Sequence, residues 1–221
     1  MLISLLHRIH TIVAHIIAPP ICASCTILLD DDMVLCAPCA TKLMPVVSYN
    51  LAITRNYQVP VFAVCAYQGV VQKLIRAKQS QHIAATRSLG LLIWHKTAIA
   101  NQQFDYIVPV PLHWRRYATR GYNQAVEIAR VLGAQSGKPV LCCLVRSRHT
   151  RTQTELSADA RTKNVRDAFE VKQSYKNIIR NKRILLVDDV LTTGSTMKEC
   201  IRALRLERPL SIIGVVAARV T

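Results

Sequence analysis

Ile184-Leu185-Leu186-Val187-Asp188-Asp189-Val190-Leu191-Thr192-Thr193-Gly194-Ser195-Thr196 is the stretch that decides the fold. Its first four residues are aliphatic without a break, the pattern of a strand buried on both faces of a parallel sheet. Asp188 and Asp189 end that strand, and a helix is predicted over Ser195–Arg208. A loop at the carboxyl end of a central parallel strand is where open α/β sheets bind ligands. Thr192, Thr193, Gly194, Ser195 and Thr196 offer a phosphate dianion successive backbone N–H groups and several hydroxyls. The positive end of the helix dipole points the same way, and Gly194 gives the backbone freedom for a tight cradle. The carboxylates of Asp188 and Asp189 cannot bind that phosphate. They suit ribose hydroxyls, or a magnesium ion. Ser and Thr also start ordinary helices, but this order of strand, acid pair and hydroxyl-rich turn is far narrower than a cap. It lacks the Gly-Lys-Ser/Thr of a Walker A loop.

Outward from this stretch, strand and helix signals alternate. Strands are expected over 61–67, 106–111 (running into a rigid Pro-Val-Pro loop), 140–145, 184–187 and 212–217. Helices are expected over 70–78, 83–100, 122–135 and 195–208. In the third of these Tyr122, Ala125, Val126, Ala129, Leu132 and Gly133 share a face. Such alternation implies an α/β fold, a mostly parallel sheet flanked by helices. The 51% hydrophobic and 5% aromatic content suits an aliphatic core. Residues 46–60 read as a linker or edge structure, and 146–167 as a polar loop longer than the ~12–15 residues usual in a compact domain. The chain divides into a small N-terminal part, 1–50, and a main domain, 51–221.

The N-terminal part carries Cys22-x-x-Cys25 and Cys36-x-x-Cys39. Two such knuckles supply four thiolates, the donor set of a closed, tetrahedral, structural zinc site. Neither pair opens a helix after a strand, as a redox pair would. Cys65, Cys142, Cys143 and Cys200 lie in apolar stretches and are expected in the core. Before this module, Leu2, Leu5, Leu6, Ile9, Val13, Ile16 and Ile17 fall at helical spacing up to Pro19-Pro20. His7, Arg8, His10 and His15 interrupt the run, so it is no transmembrane span. An amphipathic helix packed on the protein is expected, with peripheral membrane contact through residues 1–18 as the alternative. No cleavage site follows, so a cytoplasmic location with reduced cysteines is expected.

Charge is unevenly placed. Residues 1–50 hold two basic and three acidic side chains, a net of −1; residues 51–221 hold 27 and 10, a net of +17. Such a field favours polyanions, either nucleic acid or phosphate-bearing small molecules. Two segments concentrate it. One holds His113, Arg115, Arg116, Arg120 and Asn123; the other holds Arg146, Arg148, Arg151, Arg161, Lys163 and Arg166. Either suits diphosphate or the backbone of single-stranded DNA, and the second also suits a lid over phosphates. His82 and His95 sit on predicted helices and read as surface or packing residues.

The phosphate stretch resembles that of the type I phosphoribosyltransferase fold. The whole chain resembles the ComF family of late competence proteins: an N-terminal helix, paired Cys-x-x-Cys knuckles, Val108-Pro109-Val110-Pro111-Leu112, Arg120-Gly121-Tyr122-Asn123-Gln124-Ala125, then Thr152-Gln153 with Leu156, Arg161 and Asn164, and the phosphate loop. The resemblance implies that the loop binds phosphoribosyl pyrophosphate with magnesium. It implies that Pro111 and Leu112 border the diphosphate and that 146–166 stands where enzymes of the fold carry a flexible catalytic loop. Nothing after Thr196 has room for a hood that reads a nucleobase. The leading expectation is therefore a protein of natural transformation and DNA uptake that binds phosphoribosyl pyrophosphate and single-stranded DNA. The alternatives are a transferase acting on an unidentified nucleobase-like acceptor, and a sensor of the ligand without chemistry.

Overall fold

β6 (Arg183–Leu191) and β7 (Ser211–Arg219) pair in parallel along their whole length, from Arg183↔Ser211 to Leu191↔Arg219. The structure, a computed structural model, describes residues 21–29, 34–45, 48–76, 82–112, 121–146 and 168–220. In chain order the other elements are α1 (Ala37–Ala40), β1 (Tyr49–Thr54), β2 (Tyr57–Ala66), α2 (Gly69–Arg76), α3 (His82–Lys96), β3 (Tyr106–Pro109), α4 (Gln124–Ser136), β4 (Leu144–Arg146), β5 (Phe169–Val171), α5 (Lys176–Ile179) and α6 (Ser195–Leu206). The main sheet runs β1-β2-β7-β6-β3, with all pairs parallel except β1 with β2. β4 and β5 form a separate antiparallel pair.

Because side chains alternate across a strand, the aliphatic run of β6 feeds two cores. Leu185 and Val187 join α2, α3 and α4 on one face, through Leu74, Leu89, Ile93, Ile128 and Leu132. Ile184 and Leu186 join α6 on the other, through Met197, Cys200, Ile201 and Leu204. Burial on both faces is what a central parallel strand requires. Cys22, Leu35 and Cys39 of the cysteine module belong to the first of these cores.

Several expectations need correction. The strand expected to end at the acid pair continues through it: Asp188 pairs with Val216 and Val190 with Ala218. Of the two readings of 46–60, linker or edge structure, the described residues 48–60 bear out the edge: β1 turns at Arg55-Asn56 and pairs back on β2, burying Leu51 and Ile53. The helix expected over 83–100 stops at Lys96; Thr97 accepts from the Ile99 N–H and starts a short 3-10 turn, Ala98–Asn101. The strand expected over 140–145 keeps a single bridge from Val140 to Ile107 and then becomes β4, whose partner β5 gave no sequence signal. Cys142 is exposed, not core: of the two neighbouring cysteines before β4, Cys143 takes the inward place and is fully buried. The predicted N-terminal helix lies outside the described residues, as do Arg115, Arg116, Arg120, Arg148 and Arg151. Among the described residues no helix is long and apolar enough to cross a membrane.

One ion pair fixes the starts of β3 and β6. Asp105 accepts from the Arg183 backbone N–H at 2.8 Å and from its guanidinium at 2.9 and 3.3 Å. These bonds hold the Asp105 carboxyl at about 2, below its usual 3.8. A lowered carboxylate pKa stabilises the fold fully above the unfolded value and loses that contribution as pH falls through the folded one. Stability is therefore expected to drop between about pH 4 and 2, and Asp105→Asn to flatten that part of the curve. Denaturant midpoints measured from pH 5 to pH 2 for both proteins check this.

Candidate functional site

At the carboxyl end of β6, Asp188 Oδ1 accepts the Asp189 N–H at 2.9 Å, and Asp189 Oδ1 accepts the Val190 N–H at 2.8 Å. Each carboxylate is thus held by the backbone while remaining partly exposed. Thr192 and Thr193 follow, both exposed. Gly194 then turns the chain into α6 with φ +74°, a left-handed conformation that favours glycine. A Cβ built there would stand 2.8 Å from Leu51 Cδ1, so β1 presses directly on the loop. The Thr193 and Ser195 hydroxyls lie 3.0 Å apart, and the Lys198 N–H returns to the Gly194 carbonyl at 2.8 Å. The first turn of α6 contains no acid, so nothing there opposes an anion at the helix start.

β3 brings a second loop alongside. Val110 donates its N–H to the Val187 carbonyl at 2.9 Å, one residue before Asp188. Asn123 caps α4 by accepting the Ala125 N–H and donates its own amide to the Val110 carbonyl, both at 3.0 Å. Pro109–Leu112 and the acid pair therefore share one end of the sheet. The Pro-Val-Pro sequence stiffens that segment, and Asn123 fixes it from the helix side.

Arg146 is the one described residue of the arginines proposed for diphosphate or nucleic acid. It closes β4 with its guanidinium 5.3 Å from the centre of the Phe169 ring, on the strand opposite. It also acts on Cys200 beneath the loop. Burial holds that thiol well above its ordinary pKa, Asp188 adds to the effect and Arg146 opposes it. Arg146 is thus a half-buried cation that acts on the same buried thiol as Asp188, with the opposite sign. Sequence reasoning did not see this, nor the support from Leu51, nor Arg202, which bonds Glu199 and the Ile53 carbonyl. The partners are remote in sequence, and only the fold joins them.

Away from this end, the thiol sulfurs of Cys22, Cys25, Cys36 and Cys39 all lie within 4.8 Å of one another, with Cys25 and Cys36 at 3.5 Å. A tetrahedron with sulfurs ~2.3 Å from a zinc ion spaces them by roughly 3.8 Å, so the four thiols fit one ion.

Comparison with known proteins bears on this geometry. The phosphoribosyl transferase domain family matches residues 89–220, which include β3, α4, β6, α6 and β7. "DNA utilization protein YhgH" of Escherichia coli K12 is 31% identical over 194 residues, 81% of either chain. "Competence protein F" of Haemophilus influenzae is 45% identical over 102 residues, 46% of this chain but only 44% of that protein. Among solved structures, a glutamine phosphoribosylpyrophosphate amidotransferase from B. subtilis aligns with 66% of this chain and 30% of its own, at 17% identity and TM-score 0.46, a likeness too slight to carry weight. With a domain match over more than half its length and a relative aligned over four-fifths of it, the chain belongs to the ComF family and is built on the phosphoribosyl transferase fold.

Proposed function

We propose that this protein serves in DNA uptake or utilisation, binding phosphoribosyl pyrophosphate at Asp188–Thr196 and single-stranded DNA through its basic segments. The observation that carries the ligand reading is the junction of β6 and α6: two backbone-held carboxylates, two neighbouring hydroxyls and a left-handed glycine at a helix start. In this reading the N–H groups and hydroxyls of Thr192–Thr196 hold the 5-phosphate, and Asp188 and Asp189 accept from the ribose hydroxyls. Magnesium bound with the diphosphate would neutralise its charge. Pro111 and Leu112 border that diphosphate. In this reading Cys22, Cys25, Cys36 and Cys39 hold a structural zinc ion in the N-terminal part, 1–50, and 51–221 is the phosphoribosyltransferase-like domain. The roles of its relatives, "Competence protein F" and "DNA utilization protein", support the DNA part of the reading.

Calorimetry tests the ligand reading. Wild-type protein with magnesium is expected to bind phosphoribosyl pyrophosphate, and Asp188→Ala with Asp189→Ala to weaken it by a factor of about 10–100, as loss of charge-assisted hydrogen bonds would. Equal affinity in the two proteins rejects the assignment.

Single-strand binding has its own signature. Each neutralised phosphate releases counterions, so log affinity should fall with log salt at about −0.7 per contact. Replacing Arg115, Arg116 and Arg120 by alanine should flatten the slope by about 2. Fluorescence anisotropy with labelled oligonucleotides at several salt concentrations reads this. With no binding at low salt, the transferase alternative takes its place, and pyrophosphate release with candidate bases tests that.

A further inference from the structure

The loop proposed for the 5-phosphate has no cation of its own. Asp188–Thr196 contains two acids and no lysine, arginine or histidine. A phosphomonoester held there carries a charge of about −1.5 to −2 at neutral pH, and it shares the loop with both carboxylates. N–H groups, hydroxyls and a helix dipole supply only partial charges. A full positive charge can come only from elsewhere in the fold.

β7 supplies one. Arg219 ends that strand in register with Leu191, the residue before Thr192. Its backbone is pinned on two sides. The Arg219 carbonyl accepts from the Tyr67 N–H at 2.7 Å, and the next residue, Val220, donates its N–H to the Leu191 carbonyl at 2.9 Å. The side chain reaches past β2 to β1, where its guanidinium stands 4.1 Å from the centre of the Tyr49 ring. Tyr49 is two residues before Leu51 and so shares its face of β1, and Leu51 is the side chain that presses on Gly194. β1 is antiparallel to β2, while β2, β7 and β6 are parallel, so Tyr49 stands nearer than Leu51 to the end of the sheet that carries the loop. The stacked pair therefore borders the loop on the side away from β3.

Among the described residues no carboxylate pairs with Arg219. A ring attracts a guanidinium through its charge and leaves the N–H donors for other partners. That planar fork matches two oxygens of one phosphate. Holding it over Tyr49 also removes part of the ordering cost of binding. A second stack of the same kind, Arg205 at 3.9 Å over Tyr57, lies at the opposite end of β2, beside no such loop. It supplies a matched control.

We infer that Arg219, held over Tyr49, is the cation that meets the 5-phosphate of the ligand. The inference rests on the phosphoribosyl reading above. It adds a binding residue from the last strand and a positioning residue, Tyr49, from the edge strand.

The test titrates the full zinc-loaded chain by calorimetry, in magnesium, with phosphoribosyl pyrophosphate, ribose 5-phosphate and inorganic pyrophosphate. The first two share the 5-phosphate and the third lacks it. Arg219→Gln is expected to weaken both ribose phosphates about tenfold or more and to spare pyrophosphate. Tyr49→Leu should weaken them about threefold, and Tyr49→Phe, which keeps the ring, should match wild type. Arg205→Gln, with the same loss of charge, should leave all three affinities unchanged. Thermal midpoints without ligand show which variants fold. Should Arg219→Gln not fold, Arg219→Lys, which keeps the charge without the fork, reads the same division between probes with a smaller loss. Equal phosphoribosyl pyrophosphate affinity in wild type and Arg219→Gln overturns the inference and leaves the phosphoribosyl reading standing. So does a loss that falls on pyrophosphate and spares ribose 5-phosphate, an equal loss in Arg205→Gln, or a larger one on replacing Lys198 of α6 by glutamine. A wild-type protein that binds neither ribose phosphate overturns both.

Discussion

Replacing Cys22 and Cys25 together with serine is expected to take the zinc content from about one ion per chain to none. Two thiols cannot complete a tetrahedron, and structural zinc sites contribute apparent binding energies of about 10–16 kcal/mol in isolated modules. The consequence should spread beyond the module. Cys22, Leu35 and Cys39 are buried in the same core as Leu74, Leu89 and Ile93 of the main domain. Losing the metal therefore loosens one face of the sheet, and the thermal midpoint should fall by more than about 5 °C, given about 2–4 °C per kcal/mol for a chain of this size. Metal analysis and thermal melts on the same preparations read both effects. Unchanged zinc in the double mutant sinks the site.

Gly194→Ala is expected to lower stability by about 1–3 kcal/mol and to damage the loop more than that figure suggests. Two costs act together. At φ +74° an L side chain is strained, by about 1–2 kcal/mol, and the new methyl would meet Leu51 Cδ1 at 2.8 Å. Leu51 is buried in the edge strand, so relief must come from moving either β1 or the loop. Adding Leu51→Ala separates the terms. If contact matters, the double mutant binds phosphoribosyl pyrophosphate better than Gly194→Ala alone and shows a favourable coupling energy. If strain alone decides, no rescue appears. Urea denaturation and calorimetry on the four proteins of the cycle distinguish these.

The parts of the molecule that a short window of sequence determines were legible in the sequence. An unbroken aliphatic run is enough to predict β6 as a central strand, and hydroxyl-rich residues after an acid pair are enough to place a helix start at Ser195. Asn123 and Gly137 bracket α4 as cap and left-handed terminator, close to the expected span. What failed depended on remote partners. The choice between linker and edge structure for 46–60 is made only once Tyr49 faces Val61 and Leu51 faces Val59. β5 is three residues long and is held by β4 rather than by a pattern of its own. The same limit applies at the site. The loop and the four cysteines announce themselves through spacing, but Arg146 over Phe169 and Leu51 under Gly194 exist only after folding. The charge of residues 51–221 predicts a polyanion without saying which side chains meet it.

The most direct test of the central claim is a thermal melt of the whole protein with phosphoribosyl pyrophosphate and magnesium. A ligand that binds only the folded state stabilises it by mass action, about 2.7 kcal/mol at a hundredfold excess over Kd. The midpoint should rise by roughly 5–10 °C, in a manner that depends on concentration and is lost with Asp188→Ala and Asp189→Ala. A midpoint unmoved at millimolar ligand, or moved equally in that double mutant, contradicts a phosphoribosyl site at Asp188–Thr196.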